Sequence, residues 1–362
     1  MVATTPSLNI TPTDAVHLSS GSSSLEHSLA SLSRPLRASP LTRFLHLVTV
    51  ERYHQTVTTR RQFLTLLGAT GLAAATPSSL FAAQAPEPFT FLFVTDAHIQ
   101  PELNAAIGTD MAFNKARTIK ADFAINGGDH VFDALGVPKQ RALQLFDLYG
   151  KIEQDLGLKV YHTVGNHDVL GIYTASGIPA DDPLYGKKLF EDRFGKAYYS
   201  FDHKGHHFIV LDSIGITRDH AYEGRIDAAQ LKWLAADVAA LPAGTPIIVA
   251  VHIPLVSAYE AYLPESPKPP AHHSLTVANA NEVLAIFEGH NVLGVLQGHT
   301  HVNETVHWKG VPYITSGAIC GNWWQGTHLG TPEGFTVVTV ANNKLTTSYE
   351  TYGFKSIKPN NT

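Results

Sequence analysis

From Phe89 onward the chain is a series of short apolar runs, each ending on a polar or metal-competent side chain and separated by stretches of helical character. This alternation limits the fold more than any other feature. Runs of this length form buried strands, and the segments between them must cover the sheet, which is the layout of an α/β domain. Residues 89–95 read as a fully apolar strand, 122–126 as a second and 159–164 as a third, with helical character over 102–120 and 138–157. Residues 227–241 are amphipathic, with Asp227 placed as an N-cap. Further strands are expected at 246–251, 292–296, 302–308, 312–316, 335–340 and 344–349. The later strands follow one another without helices, so the second half of the core is expected to be largely antiparallel. Two long irregular stretches, 169–186 and 257–274, follow motif residues and are expected to border the site.

Composition narrows the chemistry. At 362 residues, with 44% hydrophobic and 16% charged, the chain has ample material for a core. A formal charge of -5 with no basic stripe argues against nucleic acid as a partner. The 20 histidines are the anomaly, because neutral imidazole is the commonest metal ligand. Cys320 is the single cysteine, which rules out an intrachain disulfide and a cysteine-based zinc site. Any metal must be held by His, Asp, Asn or Glu.

The first part of the chain has a different character. Residues 1–58 are rich in Ser, Thr and Leu without sustained periodicity, and read as a disordered or mis-annotated leader. Arg60 and Arg61 then precede an apolar run over 64–75 and small-residue sites up to Ala85. This resembles a twin-arginine export signal. The run is too short for the roughly 20 residues that span a bilayer, so a cleaved signal is expected rather than a membrane anchor, with a cut between about Ala75 and Ala85. The alternative is a buried helix after a chance arginine pair. The signal reading implies the twin-arginine export machinery as a partner and a periplasmic or extracellular location. It divides the chain into a leader at 1–58, signal and linker at 59–88, a catalytic domain at 89–352 and a C-terminal tail at 353–362.

Five segments carry metal-competent side chains at strand ends: Asp96-Ala97-His98, Gly128-Asp129, Gly165-Asn166-His167-Asp168, Val251-His252 and Gly298-His299-Thr300-His301. Taken singly, each is weak: a His at a strand end is more often a hydrogen-bonded structural residue, and an Asp after two glycines is usually a turn residue. Their joint occurrence changes the reading, because the carboxyl ends of strands in an open sheet converge on one crevice. In this order the segments resemble the calcineurin-like metallophosphoesterase superfamily over residues 89–349. The resemblance implies a four-layer αββα sandwich of two mixed sheets flanked by helices, with a dinuclear metal site at strand ends.

Carried over residue by residue, the resemblance implies that Asp96, His98, Asp129 and His301 hold one metal. Asp129, Asn166, His252 and His299 would hold the second, with Asp129 shared. Nitrogen and oxygen donors suit Mn, Fe or Zn and leave open which of these divalent or trivalent ions is used. The implied reaction is hydrolysis of a small phosphate mono- or diester by a metal-bridging hydroxide. His167 is expected to assist at the phosphoryl group or leaving oxygen. Asp168 is expected either to bond His167 and orient it or to serve as a turn residue. Phe132 stands where purple acid phosphatases carry a metal-binding Tyr, so the tyrosinate-to-iron colour of that branch is not expected. Trp323 and Trp324 either stack on the substrate or pack in the core or rim. Cyclic-nucleotide phosphodiesterase and pyrophosphatase activity on a nucleotide or lipid-linked headgroup are the alternative reactions. A non-catalytic metal-stabilised binding protein is the alternative from another class.

Overall fold

The computed structural model describes residues 87–264 and 271–362. The expected leader and export signal, apart from residues 87 and 88, lie outside the described residues.

Strand β1 (Phe89–Val94) shows how the sandwich is specified. Its odd positions Phe89, Phe91 and Phe93 face a second sheet, while Leu92 and Val94 join the cluster under the helices. The period of two along a strand thus feeds two cores at once. The first sheet has the order β13-β12-β1-β2-β3, with β2 at Ala124–Asn126, β3 at Val160–His162, β12 at Gly334–Ala341 and β13 at Lys344–Thr351. The second has the order β10-β11-β9-β8-β5-β4. Its strands are β4 (Tyr199–His203), β5 (His206–Leu211), β8 (Pro246–Val251), β9 (Asn291–Gln297), β10 (Glu304–Trp308) and β11 (Val311–Thr315). A separate two-stranded ribbon pairs β6 (Ile214–Ile216) with β7 (Tyr222–Gly224).

Between the sheets lies an aromatic layer. Phe91 stacks on Phe123 at 5.0 Å between ring centroids and meets Phe208 of the second sheet edge-on at 5.5 Å. Burying each such ring is worth roughly 1.5–3 kcal/mol. Helices α1 (Ala105–Ala116) and α2 (Lys139–Glu153) cover the outer face of the first sheet. Helices α4 (Ala228–Ala239) and α5 (Ala280–Phe287) cover that of the second. The short α3 (Lys188–Phe194) gives Leu189 to one outer core and Phe190 to the other. The result is the αββα sandwich expected from the motifs. Asp227 caps α4 as read from the sequence, its carboxylate accepting from Gln230 N at 2.7 Å.

The expectation of a largely antiparallel second half needs correction. Strand β8 is parallel to both β5 and β9, and β9 is parallel to β11. Helix α5 lies between β8 and β9 in sequence and supplies the crossover that a parallel pair requires. Strand β10 takes the sheet edge, and β11 returns beside β9. Antiparallel pairing is confined to hairpins and to the β1–β12 pair. Three hairpins turn on two residues with positive φ: Lys204-Gly205, Lys309-Gly310 and Asn342-Asn343. That is the turn whose twist matches paired strands. Among the described residues no helix is long and apolar enough to cross a membrane.

Candidate metal centre

All five motifs lie beyond the carboxyl ends of parallel strands. Asp96 and His98 follow β1, Asp129 follows β2 and Asn166 follows β3, all in the first sheet. His252 follows β8, and His299 and His301 follow β9, in the second. The loops after β1 and β2 run on side by side, with Asp96 N–H donating to Gly128 O at 2.9 Å and His98 N–H to Asp129 O at 3.0 Å. The two sheets therefore present their ligand-bearing loops to one another.

Local sequence makes this approach possible. A Cβ at Gly165 would occupy the space of the Asp129 main chain and carboxylate, and one at Gly298 would meet Thr95 and Asp96. These glycines admit a side chain from another strand end. The backbone is also forced: Asp96, His98, Asp129, His299 and His301 all have φ between 39° and 75°. For residues other than glycine this left-handed conformation costs on the order of 1–3 kcal/mol each and persists where the surroundings over-determine it. Five of the seven candidate ligands carry that strain.

The side chains converge on Asp129. Its Oδ2 lies 3.4 Å from His98 Nε2 and 3.2 Å from His252 Nε2. On the first side, His301 Nε2 is 3.3 Å from Asp96 Oδ1 and 3.1 Å from His98 Nε2. On the second, His252 Nε2 is 3.2 Å from Asn166 Oδ1, and single donor atoms of Asp129, His252 and His299 lie within 4.8 Å of one another. Three imidazoles are anchored from behind by backbone carbonyls: His252 Nδ1 donates to Gly127 O at 2.8 Å, His301 Nδ1 to Gly321 O at 2.7 Å, and His299 Nε2 to Ser274 O at 2.7 Å. Such bonds fix the tautomer and leave the other ring nitrogen with a lone pair for a cation. Cys320 Sγ approaches His301 at Nδ1, 3.6 Å away, on the side turned from Asp96.

The electrostatics ask for a cation. Asp96 and Asp129 are fully buried, and burial alone would raise both, yet the surrounding imidazoles hold each carboxyl well below its usual range. Burial works to lower His252, but the charge of Asp129 beside it pushes it up to about 9. Burial brings His98 down to about 4 and His299 to about 3. Two buried carboxylates among imidazoles, with pairs of ring nitrogens aimed at common points, form a donor set suited to divalent cations.

Of the two expectations for Asp168, the structure favours the turn residue. Asp168 does not bond His167. Its carboxylate accepts from the N–H groups of Gly165, Asp129 and His130 at 2.9–3.0 Å and pairs with His130 Nδ1 at 2.9 Å. It is a staple that ties the turn to the Asp129 loop. His130 continues through Nε2 to His162 Nδ1 at 3.0 Å, and His162 Nε2 lies 3.5 Å from Glu153 on α2. His167 is half-buried, its ring 4.7 Å from that of His98 and 5.1 Å from that of Trp323, with no hydrogen-bond partner at Nδ1.

A cavity of about 200 Å³ opens onto the centre, lined on its metal-facing side by Asp129, Asn166, His167, His299 and His301. Its rim is aromatic and polar, with Tyr222, Tyr259, Trp323 and His328. Trp323 lies with its ring 4.1 Å from that of His98 and edge-on to Phe132 at 5.8 Å. Trp324 is fully buried and donates Nε1–H to the carbonyls of Ala97 and His98 at 3.0 Å, so it anchors the first motif and cannot face a substrate. Both tryptophans have positive φ. The 257–274 stretch reaches the site through Tyr259 and Ser274, whereas 169–186 contributes no residue to the cavity. Tyr222, Tyr259 and His328 went unread in the sequence, since they belong to no motif; Tyr222 comes from β7 of the two-stranded ribbon.

A site built from buried carboxylates and imidazoles where two such sheets meet defines a metal-assisted hydrolase. The chain belongs to the calcineurin-like phosphoesterase family, whose model matches residues 89–303. It is accordingly a hydrolase of phosphoester bonds, and the residues gathered here fit metal ions whose identity the donors leave open. Among solved structures, it is similar to a dimetal phosphatase from Danio rerio, at 15% identity and a TM-score of 0.51, covering 72% of this chain and 99% of that one. It is also similar to GAP50, the anchor in the inner membrane complex of Plasmodium, at 16% identity and a TM-score of 0.46, covering 73% and 85%. A purple acid phosphatase from yellow lupin seeds matches at 13% identity and a TM-score of 0.45, covering 74% and 52%. No curated protein matches the chain.

Proposed function

We propose that this protein hydrolyses a phosphate mono- or diester, holding one metal with Asp96, His98, Asp129 and His301 and a second with Asp129, Asn166, His252 and His299. The observation that carries the reading is the placement of Asp129 Oδ2 between His98 and His252, within 3.4 Å of both. When bound, the two ions would supply Lewis acidity toward the phosphoryl oxygens and lower the pKa of a coordinated water. His167, the imidazole over the centre that is not assigned to a metal, faces the bound phosphoryl group and gives a proton to the leaving oxygen. Trp323 forms one wall against which a flat part of the substrate can pack. Asn166 and the Asp168 staple keep the turn that carries His167 in register with Asp129.

The test is hydrolysis of p-nitrophenyl phosphate and bis-p-nitrophenyl phosphate by the full chain after chelation and add-back of Mn, Zn or Fe. Activity is expected to vanish on chelation and return with metal. Turnover that survives complete metal removal would overturn the reading, and the ratio of the two rates assigns mono- or diester preference.

Export through the twin-arginine route is also proposed, on Arg60, Arg61 and the apolar run after them. Cell fractionation of the wild type and an Arg60→Lys/Arg61→Lys variant tests it. Equal amounts outside the cytoplasm for both would refute the signal.

A further inference from the structure

Residues 360–362 of the C-terminal tail are seated against the loop that carries His328. Thr362 N–H donates to Thr327 O at 3.1 Å, and Gly330 N–H donates to Thr362 O at 3.1 Å. Asn361 Oδ1 accepts from Thr327 N at 2.8 Å, and Asn360 N–H donates to Gln325 O at 2.6 Å. Asn322 Nδ2 donates to Asn360 O at 2.6 Å, one residue before Trp323. Residues 325–330 thus take their shape from the tail as much as from their own sequence.

His328 is held from both ends of its ring. Nδ1 lies 3.2 Å from Thr362 Oγ1, and Nε2 shares a hydrogen bond of 3.2 Å with the hydroxyl of the buried Tyr259. The Thr362 hydroxyl already accepts from Leu329 N–H at 3.2 Å, so its own hydrogen is available for His328 Nδ1. That arrangement leaves the ring proton on Nε2, at the edge that meets Tyr259. The His328 ring stands 5.9 Å from that of His301 and lines the same cavity as Asn166 and His167. A phosphoryl group seated there brings negative oxygens into a cavity that, among the described residues, has no Lys or Arg in its lining. Its side-chain hydrogen bonds there come from imidazoles and hydroxyls.

We infer that His328 is a further substrate-contacting residue, exchanging the Tyr259 hydroxyl for an oxygen of the phosphoryl group as the acceptor of its Nε2 hydrogen, with Tyr259 and the strap at residues 360–362 as positioning residues. This rests on the phosphoesterase reading of the site. His167 and His328 then approach the phosphoryl group from different sides of the cavity, the first from the β3 loop and the second from the tail-held loop.

The experiment uses the full chain loaded with metal and compares wild type with His328→Ala, His328→Gln, Tyr259→Phe and Thr362→Val. Metal content, kcat and KM on both nitrophenyl esters, and the affinity for inorganic phosphate by calorimetry are measured. His328→Ala is expected to keep its metals and to lose about 10–100-fold in phosphate affinity and kcat/KM, the cost of one hydrogen bond to a charged group. His328→Gln, whose amide can still donate, should recover part of this. Thr362→Val and Tyr259→Phe should show smaller losses in the same direction. Wild-type phosphate affinity in a folded, metal-loaded His328→Ala would overturn the inference, as would a Gln variant no better than Ala. Should the Ala variant fail to fold, wild-type affinity in a folded His328→Phe, which fills the place of the ring without a donor, would overturn it equally. A wild-type chain that turns over neither ester refutes the phosphoesterase reading, and phosphate affinity still decides on His328.

Discussion

At Asp168 three backbone N–H groups and one imidazole meet a single buried carboxylate, at 2.9–3.0 Å. An amide in its place keeps the shape but turns one acceptor into a donor facing donors. Asp168→Asn is therefore expected to cost about 1.5–3 kcal/mol, the range for hydrogen bonds to a charged group, and to lose bound metal as the Asp129 loop loosens. Thermal unfolding and metal content check this; a variant with the wild-type midpoint would show that the staple is dispensable. His167→Ala should behave in the opposite way. It removes a ring that packs on His98 and Trp323 but holds no part of the loop by its side chain, so metal content stays and kcat falls about 10²–10⁴-fold, as for loss of an acid catalyst. Turnover unchanged by this substitution removes His167 from the reaction. The motif left Asp168 open between a bond to His167 and a turn role, and its bond to Gly165 N–H fits the second while its imidazole partner went unread. His130 lies 38 positions away and is selected by the way the β2 and β3 loops fold together, which no local pattern records.

Along the elements, the strands that end in motifs were readable because each is apolar on both faces and stops at a polar residue. Strands β4 and β5 were not read as such, because His203, Lys204, His206 and His207 interrupt the apolar pattern. The two-residue Lys204-Gly205 turn between them was the available signal. Sheet order was beyond the local pattern: which neighbour β11 takes depends on β10 folding to the edge. The buried chain from Asp168 through His130 and His162 to Glu153 ties α2 to the ends of β2 and β3 and has a consequence for pH. Burial lowers His162 well below its usual range, with His130 adding to the effect, and burial raises Glu153. With His162 held neutral, their 3.5 Å contact is not an ion pair. In the unfolded chain His162 takes up a proton below about pH 6.5, while in the folded chain it stays neutral. The unfolded state binds more protons there, so stability is flat above about pH 7 and falls as pH drops, by at most about 1.4 kcal/mol per unit for this group. Guanidinium unfolding between pH 8 and pH 5 should show a shallower decline for His162→Gln than for wild type. Identical slopes would place the proton uptake elsewhere.

For the whole molecule, the candidate ligands are divided between the sheets: Asp96, His98, Asp129 and Asn166 extend from the first, and His252, His299 and His301 from the second. Besides the aromatic layer and polar contacts such as Tyr199 Oη–H to His162 O and His203 to Asp122, the metal centre is where the two halves of the sandwich meet. Ions bound there join the sheets as well as serving the reaction, and their affinity adds to folding stability. At a free metal concentration about 100 times the dissociation constant the gain is about 2.7 kcal/mol. In a domain of this size that corresponds to a rise of several degrees in the unfolding midpoint. Chelation should lower the midpoint by that amount and re-addition restore it. Substituting His252 with Ala should abolish most of the metal-dependent rise, because it takes from the second sheet the imidazole that meets Asp129 at 3.2 Å. Calorimetric scans of both chains with and without metal read this directly. A midpoint indifferent to metal in the wild type would mean that the sheets are held by the aromatic layer and those polar contacts alone, and that the centre adds nothing to stability.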